Sequence, residues 1–339
     1  MDINKERFDY LDVSRGIVII LMLIGHSGAP SLVIQAISGF HMPFFFILSG
    51  YLYNHDKYNQ LGIKQLIKKK WKAYVIPYFV LSFINLIINI PVELVKGLRG
   101  GVLLTSTVHH IFWIFYSWGS ASRTPNCTPL WFLLCLFITS IFFYYLLTIK
   151  SISLQIVICV FAVVFDVILC KLRVPQLPWH IDIALLGVVF MYIGFKIKEL
   201  KIMERIEYRL SFIIISNILG FYCIFTNPTI EINPNIINNV VLLYVGSIST
   251  TFSILLLCKY YVKRCAFLEY LGKNTIPIMG FNYAINTYSR IIWNKITYKL
   301  SINISYTWWM LTIVDIICCM IIIWVWKKIK DKYPKLNLF

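Results

Sequence analysis

Arg15 and His26 stand with ten residues between them in LDVSRGIVIILMLIGHSG, and every intervening residue except Gly16 and Gly25 is apolar. A run of this kind reads as a membrane helix, and an ionisable side chain inside one is costly enough to be functional by default. Eleven steps of 100° return the two side chains to within about 20° of one helix face, about 16 Å apart along the axis. The guanidinium is always protonated and can grip phosphate in two places. An imidazole held away from water favours its neutral form and is ready to accept a proton. One face therefore carries an anion anchor and, half a membrane away, a base.

The composition defines the kind of protein that holds such a face. Of the 339 residues, 59% are hydrophobic and only 14% charged, against about a quarter charged in an average soluble domain. This is an all-α, polytopic integral membrane protein, and residues 1–339 read as a single transmembrane domain. The first apolar run lacks a small-residue cleavage site and is read as retained helix. Ten spans are predicted near 11–29, 36–53, 73–91, 130–149, 152–170, 181–196, 210–226, 239–258, 275–293 and 306–326. The sixth is short. Segment 102–118, with His109, His110 and many aromatics, suits an interfacial or re-entrant stretch.

Charge sets the orientation. With both termini cytoplasmic, about three-quarters of the 32 lysines and arginines fall inside, from Lys5 and Arg7 to the tail KKIKDKYPK, as the positive-inside rule requires. The net charge of +17 then follows from topology and calls for no nucleic acid. KKKWK at 68–72 reads as a stop signal in contact with anionic lipid. The nine cysteines are scattered without CxxC spacing, and no zinc-type pattern or phosphate-cradling glycine loop is present, so no metal is expected. Cys127 and Cys170 fall on the same outer side. Of the six histidines, His26, His41, His109, His110 and His180 lie towards the outer half. The short connection GAPSLVIQAIS makes the first two spans a hairpin and brings the outer ends that carry His26 and His41 together.

These residues carry a family resemblance. Arg15-x10-His26 followed by ISGFHMPFFFILSGYL at 37–52 resembles the opening of the acyltransferase 3 family, membrane proteins that O-acylate sugars, and most nearly its fucose 4-O-acetylase-like branch. PLWFLLCLF at 129–137 and FLEYLGKNTIPIM at 267–279 resemble further stretches of that family, whereas residues 150–265 match only in hydropathy. Members often carry a histidine a few residues after the late turn, where this chain reads GFNY with Asn282, which leaves Asn282 as a hydrogen-bonder or that role lost.

The resemblance implies acyl-CoA, acetyl-CoA in particular, as a cytoplasmic donor substrate rather than a resident cofactor. The acceptor would be a glycan or lipid-linked sugar, the setting the inner (cytoplasmic) membrane, and His26 the general base. Arg15 would hold the donor's phosphates, with Lys273 and Asn274 as further contacts, although a topology lysine and a helix cap account for those two equally. His41 and Ser49 would support the site. Trp131 suits an interfacial belt or a sugar-stacking face. Asp166 and Asp315, carboxylates at membrane depth, are candidates to orient His26 or His41, as is Asp182. Asp12 is expected to pair locally with Arg15 or to cap the helix. Arg123 reads as a solvated loop charge or an anion contact. A glycan or lipid transporter, and a scaffold for polysaccharide assembly, are the competing readings.

Overall fold

With no water in a bilayer core to satisfy N–H and C=O groups, apolar segments must close their hydrogen bonds internally, and the runs above do so as helices. The computed structural model describes residues 9–120, 122–227, 230–301 and 307–332; Lys5, Arg7 and the end of the basic tail lie outside the described residues. In order these are α1 (Asp9–His26), α2 (Ser31–Ser38), α3 (His41–Tyr51), α4 (His55–Lys70), α5 (Ile76–Val95), α6 (Gly100–Tyr116), α7 (Trp131–Thr148), α8 (Ile152–Lys171) and α9 (Ile181–Glu199). There follow α10 (Arg209–Thr226), a small hairpin of β1 (Ile230–Glu231) and β2 (Ile236–Ile237), α11 (Val240–Leu257), α12 (Ala266–Lys273), α13 (Thr275–Lys299) and α14 (Trp308–Lys332).

Eight helical segments among the described residues are long and apolar enough to cross a membrane, which makes this a multi-pass, all-α membrane protein. The other two predicted spans correspond to α1, which carries Asp9, Asp12 and Arg15, and to α13, which carries Arg290, Lys295 and Lys299. The helices sort by enclosure. α7 and α9 are the most buried, with Phe143 and Phe190 fully enclosed, whereas α8, α10 and α14 leave residues such as Phe161, Ile218 and Ile321 exposed on an outward face. Exposed contiguous apolar faces of this kind are what lipid covers.

The helices depart from the predicted spans in two places, each with a local cause. The second span breaks at Gly39–Phe40, and the supposed connection before it is helical from Ser31, so α2 and α3 replace one straight helix. The third span belongs to a 41-residue helical stretch, His55–Val95, that passes through a π-turn at Trp71–Val75. Pro77 lies just beyond that turn; lacking an N–H it cannot continue the regular ladder, and the extra residue absorbs the mismatch. The short sixth span is continuous over α9. Segment 102–118 is a regular helix, α6, ended by Ser117 in the left-handed region at φ 67°.

At two crossings among the described residues, glycines meet the backbone carbonyls of the partner helix and leave no room for a side chain. A Cβ on Gly272 of α12 would lie 1.8 Å from the Asp12 carbonyl oxygen, and one on Gly16 of α1 2.1 Å from that of Leu268. The α3–α9 crossing repeats the arrangement, with Gly50 against Met191 and Gly194 against Ile47, both at 1.9 Å. Small residues at such positions let membrane helices pack backbone to backbone. Both crossings back onto the same interior space.

Candidate functional site

That space is a cavity of about 560 Å³ bounded by α1, α3, α7, the α12–α13 junction, the C-terminal part of α14 and the β hairpin. Arg15, Ile19, Met22 and His26 line it from α1. Their spacing of four, three and four residues is one face of an α-helix, so the stripe that joins guanidinium to imidazole is the cavity wall. Seven of the nine sequence-derived site residues meet here: Arg15, His26, His41, Ser49, Trp131, Lys273 and Asn274.

One end is cationic. The glycine contacts bring α12 against α1, so Lys273 and Asn274, at the α12–α13 turn, stand beside Arg15. Arg15 donates to Asp12 Oδ1 at 2.9 Å yet keeps 30% of its side chain exposed. Lys273 pairs with Glu269 at 3.0 Å, and Asn274 donates to the Tyr270 carbonyl at 2.6 Å. Lys327 and Trp326 of α14 complete this end, with the Lys327 ammonium 4.3 Å from the Tyr270 ring centre. Thr275, Ile276 and Pro277, the first turn of α13, line the same wall, and a helix N-terminus adds partial positive charge to it.

The other end holds the two imidazoles. His41 Nδ1 lies 2.9 Å from the Ile37 carbonyl oxygen. A carbonyl can only accept, so the proton sits on Nδ1 and a neutral ring leaves Nε2 bare. His26 Nδ1 lies 3.3 Å from Tyr283 Oη, and the rings are 5.2 Å apart; Asn286 donates to the His26 carbonyl at 3.3 Å. With the proton on Nδ1, Tyr283 accepts it and His26 Nε2 is likewise a free acceptor. Trp131 forms part of the wall and packs on His180 with ring centres 4.5 Å apart.

The segment that walls this end was not legible beforehand. The loop between α10 and α11 is closed at its base by Asn227, which donates to the Asn239 carbonyl at 2.9 Å and accepts from the Asn239 N–H at 3.2 Å. Between these residues β1 and β2 pair antiparallel, Ile230 opposite Ile237, and Ile230 to Pro234 face the cavity. Gln176 donates to the backbone and side-chain oxygens of Asn233 at 2.7 Å, Asn233 donates to the Gly119 carbonyl, and Asn235 donates to Asp166 Oδ1 at 3.1 Å. The Asn233-Pro234-Asn235 turn, with Asn235 at φ 53°, was the one sequence signal for this feature.

Two candidates lie elsewhere. Asp166 and Asp315 are fully buried but do not line the cavity. Asp166 pins the hairpin, and Asp315 accepts from Asn282 at 2.9 Å across α13 and α14. The groups on the two imidazoles are a backbone carbonyl and a phenol, and of the two roles open to the candidate carboxylates, Asp166 and Asp315 take that of hydrogen-bonding a neighbouring element. Asn282 is fully buried and acts as a hydrogen-bonder in the core, outside the cavity wall.

The remaining outer histidines lie outside the cavity wall and are engaged in hydrogen bonds, His109 with the Trp113 indole on the exposed face of α6. His110 contacts Glu93 at 2.9 Å and the Arg123 carbonyl at 2.8 Å, and His180 reaches Ser117 O at 2.7 Å. Arg123 is no solvated charge: its guanidinium is clasped between Trp113 and Trp118 at 4.0 and 3.9 Å. Cys127 and Cys170 are free thiols, facing the carbonyls of Ser82 and Ile237.

A multi-span helical protein whose interior joins a cationic mouth to a pair of imidazoles has the layout of a membrane group-transfer enzyme. The family model described as an acyltransferase domain, acyltransferase 3, matches residues 8–335, nearly the whole chain, and the protein belongs to that family. It is a membrane acyltransferase. Neither the curated proteins nor the solved structures contain a match.

Proposed function

We propose that the protein moves an acyl group, acetyl in the first instance, from acyl-CoA to a hydroxyl of a surface glycan or its lipid-linked precursor. The supporting observation is the single α1 stripe that joins Arg15 to His26 along one cavity wall. In this reading the Arg15 end is cytoplasmic, as the positive-inside bias favours, and the membrane is the cell's inner membrane. CoA phosphates sit against Arg15 and Lys273, Asn274 offers its carboxamide, and the thioester reaches the histidines through the flexible arm of CoA.

His26 Nε2 takes the proton from the acceptor hydroxyl as its oxygen attacks the thioester carbonyl. The new C–O bond forms, the C–S bond breaks, and the proton passes to the departing thiolate. His41, Ser49 and Trp131 line the path. A conduit for glycan or lipid would need neither a base nor an anion anchor at a set distance.

The test is transfer of label from radiolabelled acetyl-CoA to candidate glycans by the full chain in lipid nanodiscs. Label on sugar that disappears in His26→Ala, with donor binding retained, is expected. Sugar movement without any donor would support a conduit instead.

A further inference from the structure

The two ends of the cavity carry opposite charge. Arg15, Lys273 and Lys327 line one end; at the other, Glu231 on β1 is the sole carboxylate among the described residues that line the cavity. Glu231 lines that space and is solvent-accessible, and among the described residues it has no cation within ion-pair distance. Its position is fixed, because the hairpin is closed at its base by Asn227 and Asn239 and held beyond β1 by Gln176, Gly119 and Asp166. That is unusual support for a two-residue strand with nothing to do.

We propose that Glu231 is the acceptor-recognition residue of this enzyme, taking the hydroxyl donors of a neutral polyhydroxylated sugar and turning away acceptors with an anionic group beside the reacting hydroxyl. The inference rests on the acyl-transfer reading above. An ionised carboxylate only accepts, with room for about four hydrogen bonds over its two oxygens, so it can hold neighbouring sugar hydroxyls together. The same charge repels a uronate or phosphate, more strongly in a cavity lined by apolar side chains than in water. A sugar held at β1 lies at the end where His41 leaves Nε2 bare and His26 meets the Tyr283 hydroxyl. The cationic mouth, by contrast, accepts the polyanionic donor, so opposite charge keeps each substrate in its own half.

The experiment uses the full chain in nanodiscs with labelled acetyl-CoA and acceptors in matched pairs, methyl hexosides against the corresponding methyl uronates. Wild type is expected to favour the neutral member in kcat/KM by about tenfold or more, the scale of a hydrogen bond to a charged group. Glu231→Gln raises KM for the neutral acceptor and narrows that preference, Glu231→Lys inverts it, and Glu231→Asp retains it. Donor KM and the size-exclusion profile stay as in wild type, which a merely structural role would not allow. An unchanged acceptor KM and preference in Glu231→Gln, a wild-type preference for uronates, or a loss of kcat at constant KM for both acceptors would overturn the assignment. Wild type that binds donor but labels neither acceptor would sink the acyl-transfer reading and this inference with it.

Discussion

The two ends of the cavity are built by different means. At the Arg15 end, helix backbones touch directly through Gly16 and Gly272, and the charges ride on regular helices. At the histidine end, loops and a hairpin are tied down by side-chain hydrogen bonds from Gln176, Asn233, Asn235 and Asn227. The first construction is rigid and tolerant of no added atom. The second spreads its support over several modest bonds, each of which can be lost singly. A donor with constant chemistry suits a fixed mouth, and an acceptor that differs between glycans suits a wall whose loop residues are free to vary.

Substitutions can break or sharpen that contrast. The largest effect is expected from His26→Ala: kcat falls by about a thousandfold, within the range of general-base catalysis, while donor binding is retained; single-turnover label transfer measures it. Arg15→Ala comes next, raising donor KM by about thirtyfold with kcat little changed, since a charged contact to phosphate contributes about 2 kcal/mol. Equal donor titrations for wild type and variant would remove Arg15 from the anchor.

Gly272→Ala, although far from any reacting atom, forces α12 off α1 and costs about 1–3 kcal/mol of stability, read as a lower midpoint in thermal unfolding together with a weakened donor KM. Gln176→Ala has the smallest expected effect. It frees the hairpin and raises acceptor KM by about threefold, with the donor unaffected, as loss of neutral hydrogen bonds implies. If Gln176→Ala instead disturbed donor KM and Gly272→Ala disturbed acceptor KM, the division of the cavity into two independently built ends would be wrong.

The same division explains what could be read from the chain. The Arg15–His26 stripe is a local periodicity on one helix, and the LGKN turn carries its own motif, so the cationic end was legible almost whole. Lys327 was not, because a lysine after the last span looks like any other topology charge. The histidine end depends on pairs far apart in sequence. Tyr283 meets His26 from 257 residues away, and Gln176 meets Asn233 from 57; hydropathy carries no information about such partners. Asp166 and Asp315 are buried carboxylates on apolar helices, but a helical period does not say which neighbour a buried face will meet. Asp166 proved to support the hairpin and Asp315 to bind Asn282. The break at Gly39–Phe40 was hidden for the opposite reason, since both halves are equally apolar.

The most direct measurement is a cryo-EM structure of the full chain in nanodiscs with a non-transferable thioether analogue of acetyl-CoA. The phosphates are expected against Arg15, Lys273 and Lys327, with the sulfur and acyl carbon between His26 and His41. Density for the analogue outside the α1 stripe, or a sulfur out of reach of both imidazoles, would contradict the arrangement on which acyl transfer here depends.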